Sequence, residues 1–289
     1  MELFLSKIFC YLCSFLLFIN SNCFTLFNAH EVDAFSSDAD IRVVSFNVRC
    51  NSDSPFVKSI FYRSMLICSQ LKKAQADTIG FQVVTEEWMP YLEKLLPEYD
   101  YIYLPRAEDD KEASPLFYLK DKFNLLDSGT FWLSDTPDVY GSKYEFSGCV
   151  RICTWALLQN KETNESFVHM NTHLDHVSKE ARIKQLEVLY SQAKKFEKNY
   201  PVIITGDFND VPGSALHNNM IKSFSDCRIT AKNSDASRTY HDYGNTSKIL
   251  DFILVSKNSE ALRFDTFEET INNAYLSDHN GVWADIKLK

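Results

Sequence analysis

Short apolar runs that end in polar tips recur along this chain. Ile41-Arg-Val-Val-Ser-Phe-Asn47 is brief and β-branched, which predicts a strand with Asn47 at its end. Thr78-Ile-Gly-Phe-Gln-Val-Val84 and Val202-Ile-Ile-Thr205 predict two more buried strands. Residues 99–104, 115–119, 124–126, 148–159, 166–172, 250–255 and 282–288 also predict strands. Residues 56–75 carry Ile60, Ser64, Ile67 and Leu71 at helical spacing, and a second helix is expected over 86–96. Over 178–197, Ile183, Leu186, Leu189, Tyr190, Ala193 and Phe196 make one apolar stripe of an amphipathic helix. Strands outnumber helices. The expected architecture is an α/β four-layer α/β/β/α sandwich, two mainly antiparallel sheets flanked by helices, with a site at one rim.

The first residues break this pattern. Lys7 precedes a 12-residue apolar run from Ile8 to Ile19, the layout of a secretory signal and too short to span a bilayer comfortably. The chain is therefore expected to be secreted after cleavage near Cys23, or as far on as Ala29, with no stable membrane span; a signal anchor is the alternative. One domain is expected over 41–289, since 289 residues of ordinary globular composition carry no repeat, linker or charge block. Removing residues 1–23 leaves Cys50, Cys68, Cys149, Cys153 and Cys227, an odd number, so at least one thiol stays free or pairs between chains. Asn164-Glu-Ser and Asn245-Thr-Ser are glycosylation sequons. Net charge is −9 with no basic stripe, which disfavours a nucleic-acid polymer as partner.

Four polar constellations follow apolar stretches: Ser45-Phe-Asn47-Val-Arg49, Asn171-Thr-His173-Leu-Asp175-His176, Gly206-Asp207-Phe-Asn209-Asp210 and Ser277-Asp278-His279-Asn280. Any one alone reads equally well as a turn former or a satisfied core group. Together they supply carboxylate, amide and imidazole groups. Phosphate-ester hydrolysis needs these: a neutralised phosphoryl oxygen, an activated water and a protonated leaving group.

These motifs, with Asp77-Thr-Ile-Gly-Phe-Gln82 and Ile249-Leu-Asp251-Phe-Ile253, run in an order that resembles the endonuclease/exonuclease/phosphatase (DNase I-like) superfamily. The resemblance covers essentially the whole chain after the leader. It implies a hydrolase of phosphate esters using Mg²⁺ or Mn²⁺, acting as a monomer on a small phosphorylated substrate. It also implies roles. Asn47, Asp207 and Asp278 stand on the metal side. Asp207 orients or deprotonates the attacking water, and Asn209 holds phosphoryl oxygen. His173 touches the phosphate or assists the leaving group. His279 is the main acid/base group with Asp278 in support, and Asp251 orients a neighbour such as His173. Arg151, His176, Arg182 and His241 match pocket positions of a compact branch of the family; for Arg151 and Arg182 a surface ion pair is the plain alternative.

One departure bears on the metal. After Phe81-Gln82 the family carries a metal-binding glutamate, where this chain has Val83. Glu86 and Glu87 follow closely, and Glu112 stands where relatives carry another glutamate. The expected ion is weakly held. A catalytically weakened binding protein on the same fold is the first alternative, and a secreted nuclease the second.

Overall fold

The computed structural model describes residues 34–50, 56–235 and 237–289. The leader expected over 1–23, with its cleavage site, lies outside them.

Two βαβ units set the frame. In the first, β1 (Ile41–Asn47) leads through α1 (Ile60–Ala74) to β2 (Thr78–Gln82), which pairs parallel to β1. In the second, β7 (Ser166–His173) leads through α3 (Lys179–Phe196) to a parallel β8 (Val202–Asp207). The helix between units one and two, α2 (Met89–Leu95), is shorter than its expected span, because Pro90 starts it late. Helix α1 begins on a Ser59 cap, whose side chain accepts from Tyr62 N–H. Helix α3 begins the same way, Ser178 accepting from Ala181 N–H.

Antiparallel strands complete each sheet. They are β3 (Tyr99–Ile102), β4 (Leu116–Leu119), β5 (Phe123–Trp132), β6 (Ile152–Asn160), β9 (Phe224–Asp226), β11 (Asp251–Ser256), β12 (Glu260–Thr266) and β15 (Val282–Lys287). A short β10 (Asn233–Ser234) joins an edge, and β13 (Thr270–Ile271) and β14 (Ala274–Tyr275) pair with each other as a small separate hairpin. Among the described residues one sheet has the order β10-β12-β15-β1-β2-β4-β3 and the other β5-β6-β7-β8-β11-β9. Helices α1 and α2 cover the outer face of the first sheet, burying Leu66, Ile67, Leu71 and Leu92 against Val44, Phe46, Ile79 and Phe81. Helix α3 covers the second, burying Leu186, Leu189 and Ala193 against Val168, Met170 and Ile204, beside α4 (Ala215–Ser223). The expected four-layer sandwich is the observed fold.

Strand alternation decides what lies between the sheets. On β1, Val44 and Phe46 face the helices, so Ile41, Val43, Ser45 and Asn47 face the other sheet. On β7 the inward set is Phe167, His169, Asn171 and His173; on β8 it is Ile203, Thr205 and Asp207. One end of the interlayer is therefore oily, built from Ile41, Val43, Phe167, Ile203, Ile253 and Val255. The middle is neutral and hydrogen-bonded. Thr78 Oγ1 meets His169 Nδ1 at 2.8 Å and His169 Nε2 meets Thr205 Oγ1 at 2.8 Å. Thr205 and Gln82 both donate to Asn171 Oδ1, at 3.0 and 2.8 Å. Asn171 Nδ2 in turn donates to the carbonyls of Phe81, Ser114 and Pro115. Gly80 is required here: a Cβ would sit 2.2 Å from Thr205 Oγ1 and 2.4 Å from Asn171 Oδ1. The far end is ionisable and forms the rim.

The described cysteines, Cys50, Cys68, Cys149, Cys153 and Cys227, are all free thiols. The expected strand over 148–159 starts only at Ile152, because Gly148 N–H and Cys149 N–H turn aside to donate to the Asp175 carboxylate. Among the described residues no helix is long and apolar enough to cross a membrane.

Asn171 ties both sheets together through one side chain. Asn171→Leu takes a donor from the carbonyls of Phe81, Ser114 and Pro115 and an acceptor from Gln82 and Thr205, in a dry layer where each lost partner costs about 1–3 kcal/mol. Pro115 O keeps the Phe81 N–H, and Gln82 keeps Gly80 O and Ser45 Oγ. Urea unfolding should show a loss of roughly 3–5 kcal/mol; a change under about 1 kcal/mol contradicts this account of the interlayer.

Candidate active site

The strand ends bring the site together. In the β7–β8 register His173 lies beside Asp207, and in the β8–β11 register Asp207 lies beside Asp251. Asn47 closes β1, and His279 sits just before β15, which pairs with β1. Five inward-facing groups thus meet at one rim without a long loop to position any of them.

Asp207 is at the centre. Its Oδ2 accepts from Asn47 Nδ2 at 3.0 Å and faces His173 Nε2 at 3.5 Å and His279 Nε2 at 3.7 Å. Its Oδ1 accepts the Asn209 backbone N–H at 2.8 Å, a turn that holds Asn209 at φ 51°. Asn209 Nδ2 then donates to Leu174 O at 3.0 Å and lies 2.9 Å from His173 Nε2. The donating amide makes Nε2 the acceptor of a neutral His173 and assigns its proton to Nδ1, which has no partner.

His279 is held from behind by Asp251, whose Oδ2 lies 2.9 Å from Nδ1. Burial pulls His279 toward neutrality, but Asp251, Asp207 and Asp278 outweigh it and lift its pKa to about 9. Burial, reinforced by the Asp251 charge, lifts Asp207 to about 6 against His279 and the two amides that bond it. His173 goes the other way: burial, then Arg151 and Arg106, hold it neutral. The site thus pairs a cationic imidazole with a neutral one across a shared carboxylate. A buried carboxylate flanked this way can orient and deprotonate a water, while His279 Nε2–H can stabilise phosphoryl charge or supply a proton.

The support for His279 differs from the expectation. Asp251, expected beside His173, orients His279 instead. Asp278 turns outward to Arg49 Nη1 at 3.0 Å and to Ser277 Oγ at 3.2 Å, because consecutive side chains of an extended segment point apart. His241 is fully buried behind the site, stacked on Tyr275 with ring centroids 5.1 Å apart. Arg182 lies under the Asp175 loop, donating to Asp175 O at 2.9 Å, with Asp210 3.6 Å away. Arg151 and His176 do reach the mouth, Arg151 Nη2 lying 3.2 Å from His176 Nδ1.

Two groups not singled out from sequence complete this side. Arg106, nearly buried, donates from Nε to Asp110 at 2.8 Å and from Nη1 to Glu112 Oε1. Glu112 Oε1 also lies 3.5 Å from Arg151 Nη1 and 3.8 Å from His173 Nδ1. Burial raises the Glu112 pKa, and Arg106 and Arg151 pull it back. Tyr240 packs its ring 4.7 Å from that of His279. Neither Arg106 nor Tyr240 sits in a motif; only the run of acids after Arg106 hinted at a clamp.

Three buried oxygens test the site for a hard divalent ion. Asp207 Oδ2 is described above, while Asp251 Oδ1 and Gln82 Oε1 lack any donor. Asp207, Asp251 and His279 lie close enough for one ligand atom each to share an ion. Carboxylate and amide oxygens of this kind suit Mg²⁺ or Mn²⁺. Val83 adds no oxygen. Glu86 and Glu87 do not make up for it: both are exposed, Glu86 lying 3.9 Å from Lys111 and Glu87 lining an outer groove with Phe56, Phe61, Pro90 and Tyr91.

This fold and rim define a class of phosphoesterase-like α/β sandwiches. The model of the Endonuclease/Exonuclease/phosphatase family matches residues 44–279, and the chain belongs to that family. It superposes on an endonuclease/exonuclease/phosphatase from Bacteroides vulgatus with a TM-score of 0.82 at 33% identity, covering 86% of this chain and 99% of that one. It is also similar to a mannosyl-6-phosphatase from Bacteroides thetaiotaomicron, with a TM-score of 0.79 and 28% identity over 86% of this chain and 100% of the other. Among curated proteins it is 24% identical over 199 residues to carbon catabolite repressor protein 4 homolog 3 of Arabidopsis thaliana, and 25% identical over 266 residues to the CCR4-Not complex 3'-5'-exoribonuclease subunit Ccr4 of Aspergillus niger. Those matches take in 63% and 72% of this chain but only 42% and 40% of the relatives' own lengths.

Both raised pKa values make the folded chain hold protons more tightly than the unfolded one. The stabilisation from His279 is complete below its ordinary value of 6.5 and is lost as pH rises through about 9. Asp207 acts in the same sense lower down, between 3.8 and about 6. With a chelator present, the unfolding free energy should fall from pH 6.5 to 9, by at most about 1.4 kcal/mol per pH unit for one proton. His279→Gln should flatten that window; a wild-type profile already flat there refutes the assignment.

Proposed function

We propose that this protein is a divalent-metal-dependent hydrolase of phosphate esters that acts on a small phosphorylated molecule, a sugar phosphate before a nucleotide, and that the chain is exported by its N-terminal signal. The observation that carries the reading is the Asp207 carboxylate shared by Asn47, His173 and His279, with Asp251 fixing His279 from behind. A bound Mg²⁺ or Mn²⁺ supplies charge neutralisation at the phosphoryl oxygens. Asp207 and Asp251 would hold it, with the Asn47 amide, whose Oδ1 also accepts the Arg49 N–H, beside them. Asp207 orients the attacking water and accepts its proton. His279 Nε2–H faces the phosphoryl group and the His173 Nδ1–H is a free donor on its other side, while Asn209 Nδ2, with one hydrogen on Leu174 O and the other on His173 Nε2, holds that imidazole in place.

The mouth favours a polyhydroxylated leaving group. Glu112 between Arg106 and Arg151 offers an anionic acceptor beside cationic donors, the combination that reads neighbouring hydroxyls. The likeness to a mannosyl-6-phosphatase over the full length of that chain points the same way. A polynucleotide is the second reading, favoured by the exoribonuclease named among the relatives. The chain's net charge of −9 weighs against it, because polyanion binding draws on clustered cations.

The test is turnover of hexose 6-phosphates and of single-stranded RNA with Mg²⁺ or Mn²⁺. The sugar phosphate should be the better substrate. His279→Ala should lower kcat by roughly 10²–10⁴-fold, as for loss of a general acid/base, and Arg151→Ala should chiefly raise KM. Faster turnover of RNA, with steep salt dependence, overturns the substrate class; sugar-phosphate turnover indifferent to His279→Ala overturns the mechanism.

A further inference from the structure

The rim of β2 carries a one-residue bulge. Phe81 N–H donates to Pro115 O, while Val84 exchanges both backbone bonds with Ala113. Three steps on β2 thus face two on the partner, and the surplus is taken up at Gln82-Val83, with Val83 at φ 65°. A β-branched residue is strained there. Bulges re-aim side chains at sheet rims, and the side chain left at this one is that of Gln82.

Its orientation follows from its partners. Three backbone carbonyls can only accept, so the Asn171 atom that meets them is nitrogen and its other atom is Oδ1. Asn171 Oδ1 and Gly80 O then require nitrogen from Gln82, at 2.8 and 3.1 Å, and Ser45 Oγ takes the same Nε2 at 3.0 Å. Oε1 is left as a fully buried amide oxygen with no donor. Nε2 is engaged by the neutral layer below, and in the β1–β2 register Gln82 stands beside Asn47, at the ionisable end. An amide oxygen buried without a partner costs about 1–3 kcal/mol, and no described side chain donates to it.

We propose that Gln82 Oε1 is a ligand of the divalent ion, taking the place left without oxygen by Val83. Oxygen from a neutral amide replaces oxygen from a carboxylate, so the ion is held by fewer negative charges and more weakly. The inference rests on the metal-dependent reading given above, and its test does not use turnover. The protein, carrying ¹⁵N in its glutamine side chains, is titrated with MgCl₂ by NMR. The Gln82 amide is identified by its absence in Gln82→Met or, should that variant not fold, through its own backbone resonances. The Gln82 amide pair should shift along the binding isotherm, and sub-stoichiometric Mn²⁺ should broaden it first. Val83→Glu should tighten Mg²⁺ by at least roughly tenfold, on the scale of other changes to a metal site. A Gln82 amide that stays unmoved while the ion binds overturns the proposal, as does no binding up to the order of 10 mM. Turnover measured on the same samples judges the phosphoesterase reading separately: activity with an unmoved Gln82 removes this inference and leaves that one standing.

Discussion

Everything at the rim depends on how the space between the two sheets is filled. Period-two alternation sends one side chain in two from β1, β2, β7, β8 and β11 into a shared layer. That layer grades from aliphatic to neutral polar to ionisable along the strands. The neutral middle is the critical part. Asn171 satisfies three carbonyls of one sheet from a strand of the other, and Gly80 leaves the space that lets it approach. A purely apolar middle would pack as well but would fix no register between sheets. With hydrogen bonds that admit only one arrangement, a slip of one residue would strand several buried groups at once.

That constraint makes the charged end possible. Asp207, Asp251 and His279 are nearly inaccessible to water, and burial alone would drive Asp207 and His279 toward their neutral forms. Placed together they do the opposite for the imidazole: the carboxylates of Asp251, Asp207 and Asp278 outweigh its burial. His173, on the same rim but facing Arg151 and Arg106, is held neutral by the same physics with the opposite neighbours. The division of labour between the two histidines is thus set by where each stands, His173 at the end of β7 and His279 just before β15. Asp251 opens the antiparallel strand β11 and reaches His279, while the Arg106 and Arg151 side flanks the end of β7.

Much of this was legible in the chain. Apolar runs with polar tips located β1, β2, β7, β8, β11 and β15, and the ordered motifs brought Asn47, His173, Asp207, Asn209, Asp251 and His279 to one place. What escaped is what periodicity does not encode. β12 mixes charged and apolar positions, and α4 is only nine residues long, so neither stood out. β5 runs on through Asp127-Ser-Gly, whose polarity suits an edge strand exposed on one side. The partner of His279 was misplaced because adjacency suggested Asp278, whereas extended backbone turns neighbours apart and lets a residue 28 positions away serve instead. The Arg106–Glu112 clamp depends on a tight turn whose geometry no spacing rule specifies.

Val83 shows how a backbone can outlast the side chain suited to it. A left-handed conformation at a β-branched residue is held by the bonds on either side, from Phe81 to Pro115 and between Val84 and Ala113. Straightening the bulge would break those bonds and swing Gln82 out of register with Asn47, unseating the amide that bonds Asn171. The strain at one residue is therefore smaller than the cost of relieving it. The interlayer network keeps the rim in its shape, and the change from a family carboxylate to valine alters the chemistry at that point without altering the frame that presents it.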